Sequence, residues 1–229
     1  MVAIFVALMF VGFVMIDLVV QKVEARRSAY AAVSSALPAA APNHFDHWIT
    51  VPEGVYLSGG HAWARPLQEG TLRAGADSLV ARALGAVSRV LLPSPGERVE
   101  AGSTLFRLEL NGRAISIPCP VSGRVSAVNA NLKKEPELVA RDPYGRGWIC
   151  SLEQSPPERI PASLRLGQRT GLWLEREVAR FQEFMFIRLT LDSGLGATSQ
   201  DGGLPMPGLL ALSDSATLSA FEQEFLGGR

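Results

Sequence analysis

A chain of 229 residues holds one ordinary domain with extensions, or two small domains. Its 22 basic side chains equal its 22 acidic ones, so no global field draws it to nucleic acid. Two cysteines, Cys119 and Cys150, are too few for a disulfide framework, and neither sits in a Cys-x-x-Cys pair of the kind that holds zinc or exchanges disulfides; buried free thiols are expected.

Residues 2–20 are almost unbroken apolar sequence with only Asp17 charged, and the run matches the roughly 20 residues a helix needs to cross a bilayer. A transmembrane helix is predicted. No basic residue precedes the run and no small-x-small cleavage site follows it at once, which separates it from a signal peptide. Lys22, Arg26 and Arg27 all lie on its C-terminal side, so the positive-inside rule puts the remainder in the cytoplasm, as a single-pass protein of the inner or cytoplasmic membrane. Asp17 lies near the end of the span and reaches the interface. Residues 28–47 form an Ala/Pro-rich linker punctuated by Pro38 and Pro42.

His44, His47 and His61 are the only histidines. Pro42 upstream and Trp48-Ile-Thr-Val downstream favour extended chain there, and no acidic or thiol cluster adjoins them, so no metal is expected. Trp48 to Val51 and Gly54 to Leu57 read as a short hairpin or strand pair ahead of the main domain. Asp77 caps a short helix with apolar Leu79, Val80, Ala83 and Leu84, ended by Gly85. A strand follows over Val87 to Leu92, then a turn at Pro93-Ser-Pro-Gly-Glu-Arg.

The apolar runs Leu105 to Leu110 and Ala114 to Ile117 flank Asn111-Gly112, a pair that tolerates the positive φ angles of a type I′ turn. A tight β-hairpin is predicted. A further strand carries Val121, Val125 and Val128, a loop and short helix cover Asn129 to Leu138, Asp142-Pro-Tyr-Gly-Arg-Gly makes a turn, and Trp148-Ile-Cys-Ser-Leu is the last strand. Beyond Pro156-Pro157 and Pro161, Gly171 to Phe186 places Leu174, Val178, Phe181 and Met185 on one helical face. Residues 192–208 read as a surface loop. Ser213 caps a final helix whose Leu218, Phe221 and Phe225 share a face and which ends at Gly227-Gly228.

Taken in order, His61-Ala-Trp63, Ala83-Leu-Gly85, Leu92-Pro-x-x-Gly-x-x-Val-x-x-Gly102, Pro120-Val-Ser-Gly123, Val128-Asn-x-x-Leu132, Pro136-x-Leu-Val139 and Asp142-Pro-Tyr-Gly-x-Gly-Trp148 resemble the H protein of the glycine cleavage system over about residues 55–154. The resemblance implies a mainly β fold, a lipoyl-like barrel-sandwich hybrid, here with an N-terminal transmembrane helix and a C-terminal helical extension. The expected organisation is an anchor with its basic flank at 1–27, the linker at 28–47, the H-protein-like lipoyl-type domain at 48–154, and an extension with two amphipathic helices at 155–229. In that family the hairpin tip bears a Glu-Ser-Val-Lys-Ala motif whose lysine is lipoylated and carries an aminomethyl group between enzymes. Counting back from Pro120, this chain has Glu109-Leu-Asn-Gly-Arg113, so Glu109 matches the glutamate and Gly112 falls where the lysine belongs. The only lysines are Lys22, Lys133 and Lys134, and the guanidinium of Arg113 stays protonated and is not acylated in a lysine's place.

No nucleophile, base and orienter are grouped, and no phosphate loop occurs. The expectation is therefore no enzyme and no cofactor: a membrane-anchored scaffold or accessory subunit of a membrane-associated complex, not lipoylated, whose partners are the bilayer through residues 2–20 and other protein subunits. Asn111, Gly112 and Arg113 are the candidate partner contact. Two alternatives stay open. One is a transport adaptor of the membrane-fusion type, although such proteins insert a long helical hairpin where this chain has Asn111-Gly112. The other is a divergent carrier that uses Cys119 as its thiol.

Overall fold

The computed structural model describes residues 51–68, 70–154, 161, 164–193 and 207–227, all within a unit formed by residues 43–198 and 203–229. The chain runs through β1 (Tyr56–Leu57), β2 (Ala62–Gln68), β3 (Thr71–Ala76), α1 (Ser78–Leu84), β4 (Arg89–Leu91), β5 (Arg98–Val99), β6 (Thr104–Leu110), β7 (Arg113–Pro118), β8 (Gly123–Val128), a 3₁₀ turn (Ala130–Lys133), α2 (Leu138–Arg141), β9 (Cys150–Glu153), α3 (Gln168–Ser193), α4 (Leu209–Leu212), α5 (Ser215–Phe221) and a π turn (Glu222–Leu226). Six strands pair in the order β1-β2-β3-β9-β8-β5, and three in the order β4-β6-β7. Every pairing is antiparallel, and each sheet turns an apolar face toward a shared core that includes Ala74, Leu72 and Leu152 from the larger sheet and Leu108, Ile115 and Ile117 from the smaller. This is the expected mainly β, two-sheet architecture.

The central hairpin forms as its sequence requires. Leu110 pairs with Arg113, and Asn111 and Gly112 between them have φ of 50° and 74°, the left-handed values that match the twist of the flanking strands. The helix at Asp77 is also as expected, with the Asp77 carboxylate accepting from Val80 N–H at 3.0 Å. At its far end Gly85 and Gly208 meet so closely that a Cβ on Gly85 would lie 2.6 Å from the Gly208 Cα.

Three expectations need correction. The strand expected at Gly54 to Leu57 belongs to the main sheet: as β1 it pairs with β2, which together with β3 forms a hairpin over residues 62–76, and Trp48 to Thr50 of the expected pair lie outside the described residues. Those strands carry no clean alternation because Trp63 and Ala64 are both buried, β3 ends in the small residues Ala74, Gly75 and Ala76, and Pro66 interrupts the ladder at a register shift. The second correction concerns the last helix, which is capped by Asp214, whose carboxylate accepts from Thr217 N–H at 2.8 Å. Ser213 instead ends α4, a short helix between the expected loop at 192–208 and the expected cap, and donates its hydroxyl to Leu209 O. Third, the helix expected from Gly171 runs from Gln168 to Ser193. It buries the predicted Leu174, Val178, Phe181 and Met185.

Among the described residues no helix is long and apolar enough to cross a membrane. The span predicted at residues 2–20, the linker, His44 and His47 lie outside the described residues.

Candidate functional site

The hairpin turn is solvent-facing at Asn111, Gly112 and Arg113, and a side chain built on Gly112 would meet nothing within 4 Å. Its flanks are engaged by the chain's own C-terminal segment. Asn111 Nδ2–H donates to Ala211 O at 2.8 Å and the Arg113 guanidinium to Ser213 O at 2.9 Å. Farther down β7, Ser116 N–H donates to a Glu222 carboxylate oxygen at 2.8 Å. The Asp214 carboxyl is held below its ordinary range by the hydrogen bonds from Thr217 and, more weakly, by the charge of Arg113. Beside this contact Leu212 is 82% exposed.

A lipoyl amide needs an ε-amine, and no side chain of this turn offers one. Lys133 and Lys134 are exposed around the 3₁₀ turn after β8. Glu109, the family's glutamate by position, stands opposite Arg89 across β4 and β6, 4.0 Å from its guanidinium. The two-residue turn also leaves no helical insert between β6 and β7. The thiols are no better placed for carrier chemistry. Cys119 is buried, and burial pushes its pKa up to about 11 although the thiol donates to Val121 O. Burial and then the neighbouring Cys119 push Cys150 up to about 12. Thiolate is the reactive form, and these positions disfavour it.

The densest group of titratable side chains lies elsewhere. His61, in the left-handed region at φ 60°, is fully buried and bonds Nδ1 to the equally buried Asp77 carboxylate at 2.7 Å. Its Nε2 faces Glu177 of α3 at 3.6 Å, an ion-pair distance beyond hydrogen bonding, so this nitrogen has no hydrogen-bond partner among the described residues. Trp173, one turn earlier on α3, stacks on the imidazole at 5.1 Å. Glu177 is held in turn by Arg180 at 2.7 Å, and Arg180 donates to Glu224 O and covers the Phe225 ring at 4.0 Å. Burial alone would lower the His61 pKa. The charge and hydrogen bond of Asp77, followed by the contribution of Glu177, reverse this and raise it to about 9, while Glu177 is pushed down, against its own burial, by His61 and Arg180.

This cluster is a charge-balanced tie between the β-domain and α3, with His61 and Asp77 fully buried. Among the described residues no group of His, Cys, Asp and Glu is arranged to hold a metal. His61 and Trp63 were visible as a motif, whereas Glu177 and Trp173 were visible only as members of an amphipathic helix. No sequence signal paired one with the other.

The family model described as "Glycine cleavage H-protein" matches residues 55–170. The glycine cleavage system H protein of Coprothermobacter proteolyticus is 38% identical over 105 residues, which cover 46% of this chain and 83% of that protein. That of Mycobacterium bovis is 37% identical over 103 residues, covering 45% and 77%. A crystal structure of a glycine cleavage system H protein from Mycobacterium marinum aligns at 28% identity with a TM-score of 0.48, covering 55% of this chain and 99% of that one. His61 and Asp77 fall inside the matched region, and Trp173, Glu177 and Arg180 fall beyond it. By the extent of the family match and the identity to these relatives, the chain belongs to the glycine cleavage H-protein family.

Proposed function

We propose that this chain is a membrane-anchored H-protein-like domain that carries no lipoyl group and serves as a scaffold or accessory subunit of a membrane-associated complex. The observation that carries the reading is Gly112, which stands at the hairpin turn where the resemblance puts the family's lysine. Open space above it and hydrogen bonds on either side to residues 211 and 213 support a turn kept for geometry rather than for acyl transfer. The apolar run at residues 2–20 supports the anchor.

The test has two arms. Intact-mass measurement of the chain made in cells that lipoylate their own H protein is expected to give the unmodified mass; a lipoyl adduct on Lys133 or Lys134 would end the silent-domain reading. Crosslinking on native membranes is expected to trap stable protein neighbours. Recovery of the free monomer alone would remove the scaffold role.

A further inference from the structure

Zero net charge conceals a one-sided distribution on the larger sheet. The register sets Arg65 opposite Arg73, Arg73 opposite Ser151 and Thr71 opposite Glu153. It also sets Arg124 opposite Glu153 and Arg98 opposite Arg124. Opposed residues, and residues two apart on a strand, share a face. Among the described strand residues Arg65, Arg73, Arg98 and Arg124 therefore lie on one side of the sheet with a single carboxylate, Glu153. The other side presents Ala64, Leu72, Ala74, Val99, Val125 and Leu152 to the core.

Like charges directly opposite one another are destabilising unless something answers them. Among the described residues no ion pair joins any of these four arginines to a carboxylate. Arg73 lies over the Trp148 ring at 4.6 Å and Arg65 lies 5.8 Å from the Trp63 ring. Among the described residues the buried Nε of each has no hydrogen-bond partner. Stacking holds these two guanidinium groups against the sheet without neutralising them. Arg98 and Arg124 are exposed farther along the same face. Arg65 and Arg73 are half-buried beside the buried Trp63 and Ser151 of the same face, so the cationic surface is fully open at Arg98 and Arg124.

We propose that this face, Arg65, Arg73, Arg98 and Arg124, lies against the anionic lipid surface of the membrane that anchors the chain, with headgroup phosphates as its counterions. The proposal rests on the anchored reading given above. A span at residues 2–20 with basic residues after it puts the domain on the cytoplasmic side, where the leaflet is negative and attracts nearby basic groups. A linker at 28–47 makes the second contact intramolecular, so a weak electrostatic face suffices.

The test uses the full chain in nanodiscs of phosphatidylcholine with or without phosphatidylglycerol. A fluorophore is placed by Ser126→Cys on β8 or, as control, by Thr104→Cys on the smaller sheet, with lipids bearing a quencher in the headgroup. Quenching at position 126 is expected to exceed that at 104 several-fold in anionic discs only, and to vanish at ~0.5 M salt. It is expected to vanish also when all four arginines become glutamine. The pair Arg98→Gln/Arg124→Gln, which touches no indole, keeps the test independent of folding and is expected to halve the signal. Equal quenching at the two sites, or quenching indifferent to the arginines, overturns the proposal. Alkaline extraction reports the anchor separately. If the chain is extracted, arginine-dependent flotation with anionic vesicles still supports the face, and absence of flotation, or a preference for RNA over vesicles at equal phosphate, overturns it.

Discussion

The hairpin turn and the His61 cluster invert the distribution of chemistry that the family resemblance implies. At the turn, the exposed place where a working lysine belongs, Gly112 offers no functional group, and Asn111 and Arg113 make hydrogen bonds to backbone carbonyls of the same chain. In the cluster, charge runs from the fully buried His61 and Asp77 to Glu177 and the partly exposed Arg180. The exposed site lacks reactivity and the reactive groups lack access. What the two regions share is the extension beyond residue 170: residues 211 and 213 engage the turn, and α3 supplies Trp173 and Glu177 to His61. At both regions polar and charged groups of the family domain tie it to the added helices.

The contrast is broken most severely from the buried side. Asp77→Ala removes both the His61 partner and the cap of α1, and leaves the imidazole with only the more distant Glu177. Loss of one member of a buried pair costs about 3–5 kcal/mol, so urea unfolding is expected to show a destabilisation of that order.

Raising the pH dissects the same cluster without mutation. The folded pKa of His61, about 9, is above its ordinary value of 6.5. The stability it contributes is therefore present in full below pH 6.5 and is lost as pH rises through about 9. Asp77 and Glu177 face the imidazole, with Arg180 behind Glu177. Unfolding free energy measured from pH 7 to 10 is expected to fall in the native chain and to fall less in His61→Gln, whose amide does not titrate.

A smaller effect is expected at the turn. Gly112→Ala adds a Cβ that meets nothing, so its cost is that of a positive φ alone, about 1 kcal/mol. Chemical denaturation of the full chain checks this value. A much larger loss would mean that the turn carries packing as well as geometry.

Sequence patterns revealed elements in proportion to how local their causes are. The Asn111-Gly112 turn, the Asp77 cap and the Leu174, Val178, Phe181 stripe each depend on neighbours within a few residues, and each formed. The β2-β3 hairpin was hidden because its burial comes from distant parts of the fold: Trp63 donates its indole N–H to Pro143 O, 80 residues on, and occupies the space that Gly75 leaves open. The cap of the last helix moved from Ser213 to Asp214 because two adjacent residues had equivalent capping chemistry, and the presence of α4 just before them decided between the two. The candidate site divided in the same way. The turn was legible and the missing lysine was a fact of composition, whereas the His61 to Glu177 ion pair joins residues 116 positions apart through tertiary packing.

The smallest expected effect tests whether the turn's contacts with residues 211–213 matter on their own. The C-terminal segment is fastened twice. Its Phe221 and Phe225 are buried and pack edge-on to Phe181, at 5.7 and 6.0 Å, while its earlier part is held near the turn by Asn111 and Arg113. A surface hydrogen bond such as Arg113 to Ser213 is worth roughly 0.5–1 kcal/mol, far less than the several kcal/mol of a large aromatic side chain in the core. Arg113→Ala is therefore expected to leave global unfolding within about 1 kcal/mol of the native chain while speeding amide exchange at residues 209–213 and leaving that of α5 unchanged. Equal acceleration across both parts would show that the segment opens as one unit. The turn would then act as a latch on the whole extension, and loss of a single exposed guanidinium would uncover β7 together with the hairpin turn.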